Sequence, residues 1–264
     1  MEKLSIRNKN GQNLVVLLEK IDNSKGLVFI AHGLGGFKEQ RHIEIFAEAF
    51  REKGFTVVRW DAANTIGESG GKMEDATVTS YYEDLEDVIE WAKIQDWYKE
   101  PFILTGHSLG GISTALYAEN YPEKVKALAP ISTVVSGKLT IEADEEHIPG
   151  VIKEWRKTGW QINESKSKPG VVKKLKWNQF EKDALKYDLL PKADQLAMPV
   201  LLIVGGEDWG TSPESHKLLY DKLPGQKEMH IIDGADHNFR TPDYDKNLQE
   251  IKQIFLSWIN KYLS

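Results

Sequence analysis

A serine stands between glycines at Gly106-His107-Ser108-Leu109-Gly110, after the apolar run Phe102–Thr105 and before Gly110–Asn120, which reads as a helix. A serine hydroxyl becomes a nucleophile only when a neighbouring base takes its proton, and the carbonyl it attacks needs donors for the charge that develops. A sharp strand-to-helix turn serves both needs. Glycines at its ends let the backbone turn tightly and let helix and strand approach closely. The helix that starts just after Ser108 aims its unpaired amides at an oxyanion formed there. As a bare pattern G-x-S-x-G also describes a structural glycine turn; the strand before it and the helix after it are what point to a nucleophile.

The base must be one of seven histidines. His237 lies in Gly234-Ala235-Asp236-His237-Asn238, a glycine-bearing loop between the last strand and the last helix, and is the expected base. His107 adjoins the serine, but its side chain points elsewhere and suits a supporting role. His32 opens the loop His32-Gly33-Leu34-Gly35-Gly36 and shapes it. His42, His147, His216 and His230 read as surface or packing residues. The acid that orients the base is expected at Asp208, in Gly205-Gly206-Glu207-Asp208 at the carboxyl end of a buried strand, where open α/β sheets gather their ligands. Glu207 is the near competitor, and Asp236 is too close to His237 along the chain to orient it easily. The order Ser108, Asp208, His237 is that of one hydrolase class. The glycines at 33, 35 and 36 leave backbone amides free to face the site. A phosphate loop fits them less well, because neither G-x-x-x-x-G-K-[ST] nor G-x-G-x-x-G is present.

These residues must be held by a scaffold, and the hydropathy pattern describes one. Eight runs read as strands: Leu4–Arg7 and Leu14–Glu19 around the Asn10-Gly11 turn, Leu27–Ala31, Phe55–Trp60, Phe102–Thr105, Val125–Ile131, Pro199–Val204 and Glu228–Ile232. Helices are expected at Arg41–Lys53, Thr79–Lys93, Gly110–Asn120, Pro213–Leu223 and Tyr244–Tyr262, each with apolar residues three and four apart. Strand and helix in alternation imply a mostly parallel sheet covered on both faces, with the first hairpin as an antiparallel edge. The alternation stops between Val134 and Leu190, a polar stretch that carries Trp155, Trp160, Trp177 and Phe180. Packing a small core of its own suits these rings, and at least one is expected to line the substrate pocket.

Composition narrows the function. The chain has 264 residues, 34 basic and 40 acidic, for a net charge of −6, so a generally basic nucleic-acid binder is not expected. It contains no cysteine, which removes thiol nucleophiles, cysteine-ligated zinc and disulfides and fits a reducing, cytoplasmic setting. No secretory signal is visible at the start, and no apolar run approaches a membrane span. Glu142, Asp144, Glu145, Glu146 and His147 read as a solvated acidic loop rather than a metal site. Val151–Lys176 carries eight basic and two acidic residues. A solvated face explains it, and attraction of anionic substrates is the sharper alternative.

From about residue 25 to the C-terminus the chain resembles the α/β-hydrolase superfamily, through HGLGG, RWDAANTIGESGG, GHSLGG, GGEDWGTSP and GADHNF. Within it, the chain is most similar to single-domain serine esterases of the cinnamoyl/feruloyl esterase and monoacylglycerol-lipase-like kind. The resemblance implies that the Leu34 and Leu109 amides form an oxyanion hole. It also implies that residues 134–190 are a cap on a core made of 1–133 and 191–264. The expected activity is cofactor-independent, metal-free hydrolysis of short to medium acyl or aryl esters by a Ser108–His237–Asp208 triad; a thioesterase, amidase or aminopeptidase would use the same groups, and a hydrolase-fold binding protein without turnover is the alternative from another class, which the intact triad disfavours. Two departures stand out. Asp61-Ala62-Ala63-Asn64-Thr65-Ile66-Gly67 replaces the common D-x-x-G-x-G-x-S loop, and Thr211-Ser212-Pro213 stands where many relatives have valine and proline after the acid.

Overall fold

The computed structural model describes residues 1–263. The chain begins with an antiparallel hairpin, β1 (Glu2–Arg7) and β2 (Asn13–Glu19), and continues through β3 (Leu27–Ala31), α1 (Arg41–Glu52), β4 (Thr56–Asp61), α2 (Val78–Lys93), β5 (Phe102–His107), α3 (Leu109–Asn120) and β6 (Val125–Ile131). After an insertion come β9 (Val200–Gly205), α7 (Pro213–Lys222), β10 (Lys227–Ile232) and α8 (Tyr244–Tyr262). Eight strands form one sheet in the order β1-β2-β4-β3-β5-β6-β9-β10. Every pairing from β4 onward is parallel, while β2 runs antiparallel to both its neighbours.

Strand periodicity decides the two cores. In β3, Leu27, Phe29 and Ala31 join one buried cluster and Val28 and Ile30 the other, so the apolar run faces helices on both sides. The first cluster receives Tyr81, Leu85, Val88 and Ile89 of α2 and Ile112 and Ala115 of α3. The second receives Phe46 and Phe50 of α1 and Ile251, Phe255 and Trp258 of α8. α2 starts at a capping box in which the Thr77 side chain accepts from the Ser80 amide and the Ser80 side chain from the Thr77 amide.

The insertion is more regular than its sequence suggests. It holds α4 (Gly137–His147), α5 (Val151–Thr158), the hairpin β7 (Trp160–Glu164) and β8 (Val172–Lys176), and α6 (Trp177–Ala184). The acidic run expected as a loop is the C-terminal half of α4. One of its carboxylates acts locally, since Glu145 accepts from the Gly150 and Ile152 amides and so caps α5. Ile141, Ile152 and Trp177 form a separate small core, with Trp155 and Phe180 packed against it. Among the described residues no helix is long and apolar enough to cross a membrane.

Candidate active site

Ser108 sits between β5 and α3 with φ 56° and ψ −115°, in a region L residues avoid. Such a backbone costs of order 1–3 kcal/mol and persists only where neighbours hold it. Here the Ser108 amide donates to the Ile131 carbonyl of β6 at 3.0 Å. The flanking glycines answer to close approaches: a Cβ on Gly106 would lie 2.3 Å from the Gly110 carbonyl, and one on Gly110 2.5 Å from that of Ala31.

The three side chains expected to act together meet. Ser108 Oγ is 2.9 Å from His237 Nε2, and His237 Nδ1 is 2.8 Å from Asp208 Oδ2. Asp208 leaves the end of β9 and His237 the loop after β10, so two parallel strand ends bring them to the turn after β5. Glu207 is exposed, and Asp236 spends its carboxylate on the Asn238 and Arg240 amides of its own loop. Burial pushes His237 down, but the charge and hydrogen bond of Asp208 outweigh it and hold the imidazole above its ordinary value. Burial acts to raise Asp208; the facing imidazole and two donors from Thr211 win and bring the carboxyl down to about 2.

Thr211 was not singled out for this role from the sequence. Its amide donates to Asp208 Oδ1 at 3.0 Å, and its Oγ1 lies 2.7 Å from Asp208 Oδ2, 3.1 Å from His237 Nδ1 and 3.0 Å from the Ser132 carbonyl. The signal was its position three residues after the acid, at the start of the Thr211-Ser212-Pro213 departure. The supporting histidines also hold parts of the site in place. His107 Nε2 donates to the His237 carbonyl at 2.8 Å. His32 accepts the Ala62 amide at Nε2, 3.0 Å away, which ties the glycine loop to the end of β4. The departing loop after β4 is pinned by Asp61, whose carboxylate accepts from the Lys38 amide, the buried Lys38 ammonium and the Glu68 amide. Residues 61–67 do not line the cavity at Ser108.

Leu34 and Leu109 both border Ser108 in that cavity, and neither amide donates to a carbonyl among the described residues. Gly33 makes the approach possible, since a Cβ there would lie 3.0 Å from the Ser108 Cβ. The cavity, about 350 Å³, is walled on its apolar side by Met73, Val134, Leu175, Trp177 and Phe180. Of the four rings from which at least one was expected there, Trp177 and Phe180 line it and Trp155 and Trp160 do not. Trp155 packs against Trp177 with ring centroids 4.6 Å apart and planes tilted by 55°, and Trp160 carries the Lys174 ammonium over its ring. Asp144 of α4 does line it, and burial raises its carboxyl to about 6.

The strand order, with its antiparallel second strand, and the strained serine turn between β5 and α3 define the α/β-hydrolase fold. The chain belongs to the family described as serine aminopeptidase, S33, whose profile matches residues 22–241. Its architecture is similar to that of Est1E from Butyrivibrio proteoclasticus with ferulic acid bound (TM-score 0.79, 23% identity, 98% of this chain and 99% of that one). It is also similar to alpha/beta hydrolase domain-containing protein 10 from mouse (TM-score 0.78, 21% identity, 99% of each chain). In sequence it is 28% identical over 200 residues to the mitochondrial palmitoyl-protein thioesterase ABHD10 of Bos taurus, spanning 72% of this chain and 60% of that protein. An uncharacterized 31.7 kDa protein of Escherichia coli is 25% identical over 269 residues, covering 90% of this chain and 91% of its own.

Proposed function

We propose that the protein is a serine carboxylic-ester hydrolase acting on short to medium acyl or aryl esters. The observation that carries this reading is the unbroken hydrogen-bonded path from Ser108 through His237 to Asp208 at the wall of a largely apolar cavity. His237 takes the proton of Ser108 as its oxygen attacks the ester carbon, and the Leu34 and Leu109 amides hold the oxyanion. Asp208, already ionised, stabilises the imidazolium. As the tetrahedral centre collapses the C–O bond breaks, and the alcohol leaves with the proton His237 returns. Water then attacks the acyl-enzyme with His237 as base, which frees the acid and restores Ser108. No cofactor enters these steps.

Residues 134–190 act as the cap in this reading, with Trp177 and Phe180 as the walls that limit acyl length. A cavity of about 350 Å³ is at the small end for ligand sites, which favours short and medium chains over long ones. A thioesterase is the second reading. It is supported by the activity for which the ABHD10 relatives are named and uses the same groups. Chromogenic oxyesters of graded acyl length, each with its matched thioester, separate the two. Ser108→Ala is the control, and a panel with no Ser108-dependent turnover overturns both.

A further inference from the structure

A second cavity, about 600 Å³, adjoins the first along a common wall that includes Leu34, Ser108, Lys166, Lys173, Trp209 and His237. Its character is different. Leu34 and Trp209 are its only large apolar side chains, and Lys166, Lys173 and Arg240 line it against one exposed acid, Glu164. The structure thereby sorts the basic stretch noted in the sequence. Arg156 is paired with Glu181, and Lys176 with Glu74 and Asp75. Lys168 donates to the Ile66 carbonyl, and Lys174 lies over Trp160. Lys166 and Lys173 stand on the wall common to both cavities, and Arg240, from the loop that carries His237, lines the second alone. Among the described residues none of these three forms an ion pair.

Two details show that the cations are held there. The Lys173 stem crosses Gly35, where a Cβ would meet its Cδ at 2.7 Å, so the side chain lies along the loop that presents the Leu34 amide. Arg240 Nη2 donates to Ser167 Oγ at 2.7 Å, and Gln40 Nε2 donates to the same oxygen at 2.9 Å. With both lone pairs of Ser167 engaged, its own proton is left to donate. Burial first, then the charges of Arg240 and Lys166, lower the Lys173 ammonium below its ordinary value. Confining like charges in a concave site is costly until an anion enters.

We propose that this polar cavity is an anion subsite, and that the preferred substrates are esters carrying a carboxylate or phosphate on one side of the scissile bond and an apolar group on the other. The proposal rests on the ester-hydrolase reading of Ser108. It is tested with matched pairs differing only in charge. On the alcohol side these are the butyrate esters of 4-hydroxybenzoate, of 4-hydroxybenzamide and of 4-hydroxyphenyl phosphate. On the acyl side they are the nitrophenyl monoester of glutarate and the nitrophenyl ester of pentanoate. We expect kcat/KM at low salt to favour an anionic member by about tenfold or more, and the ratio to fall at least about threefold in ~0.5 M sodium chloride. Lys173→Gln with Arg240→Gln should bring the ratio close to one, whereas Lys174→Gln, on the same strand but outside the cavity, should leave it unchanged. The arm that shows the preference tells which half of the ester enters the subsite. Turnover of neutral esters with a ratio near one, indifferent to salt, overturns the subsite and leaves the hydrolase reading standing. If no ester is turned over, binding of the same pairs to Ser108→Ala decides the subsite alone: equal affinity for charged and neutral members overturns it.

Discussion

Replacing Thr211 by valine removes one hydroxyl and keeps the shape of the side chain. The structure gives that hydroxyl two acceptors, Asp208 Oδ2 at 2.7 Å and the Ser132 carbonyl at 3.0 Å, and it can share the proton on His237 Nδ1 at 3.1 Å. A hydrogen bond to a charged group is worth about 1.5–3 kcal/mol net. Lost wholly in the transition state, that is a rate factor of roughly 10 to 150. The low end is expected, because the Thr211 amide still donates to Asp208 Oδ1 and His237 keeps its 2.8 Å contact. Thr211→Val should therefore lower kcat/KM on a neutral ester about tenfold, mostly through kcat, while Thr211→Ser recovers most of the loss. The pH profile carries the second readout. With one donor gone, more of the Asp208 charge is directed at the imidazole, so the His237 midpoint should move up and the acid limb should weaken most. Stopped-flow or steady-state hydrolysis between pH 5 and 9 measures both. A valine variant with unchanged kcat/KM and an unmoved midpoint, whatever its melting temperature, would show that Thr211 only packs and would refute the reasoning.

Other outcomes follow from the same contacts. Activity of the unaltered protein should rise with pH through a midpoint above 6.5, since His237 must be neutral to accept the serine proton and Asp208 holds it protonated to higher pH; a midpoint below 6.5 contradicts the ion pair. Ser108→Ala and His237→Ala should each remove nearly all turnover, with the double variant scarcely worse than either, because the groups act as a unit. Phe180→Ala should move the acyl optimum to longer chains by widening the wall of the cavity, whereas Trp155→Ala, behind that wall, should cost stability first and is read by thermal melting. Glu119 is buried with Oε1 unpartnered, and burial raises its carboxyl from 4.5 to about 8. The native state then holds a proton the unfolded chain gives up, so stability falls as pH climbs from about 4.5 to 8. Glu119→Gln should raise the melting temperature at pH 8 and leave it unchanged at pH 4.

The scaffold was legible because each strand that carries a site residue is also a buried apolar run. PVLLIV before Asp208 and the run before GHSLG announce strands, and a polar residue at the end of a buried parallel strand lies at the carboxyl edge of the sheet. The insertion was less legible for the opposite reason. In α4, Leu139 and Ile141 are the only large apolar residues, so no helical stripe marks it, and Asp144 could not be seen to face inward. Of the four rings expected near the pocket, Trp177 and Phe180 line it and Trp155 and Trp160 do not. All four lie on short elements of five to eight residues, where the direction of a ring is decided by which neighbour it stacks on. Arg240 was passed over because it belongs to the His237 loop, far along the chain from the basic stretch whose cavity it completes.

The three imidazoles at the site show how one is singled out to titrate. His42, His107 and His237 pack in series as tilted rings, with centroids 4.4 and 4.8 Å apart and planes 52° and 48° to one another. Burial, reinforced by neighbouring positive groups, lowers His42 well below its ordinary value and brings His107 down to about 3. Both are neutral wherever the enzyme would work. His107 therefore carries its Nε2 proton as a fixed donor, and the acceptor is the backbone carbonyl of the base itself. That bond holds the His237 loop without placing a second cation beside the ring that must become one. Of these three, only His237 has a carboxylate in hydrogen-bond reach, and only His237 is raised. In the proposed reaction a proton taken from Ser108 would thus stay on one ring, between the oxygen that gave it and the leaving group that needs it. Under that proposal the glycine-flanked turn, Asp208 at the end of β9 and the buried pair His42 and His107 behind His237 would all serve that single transfer.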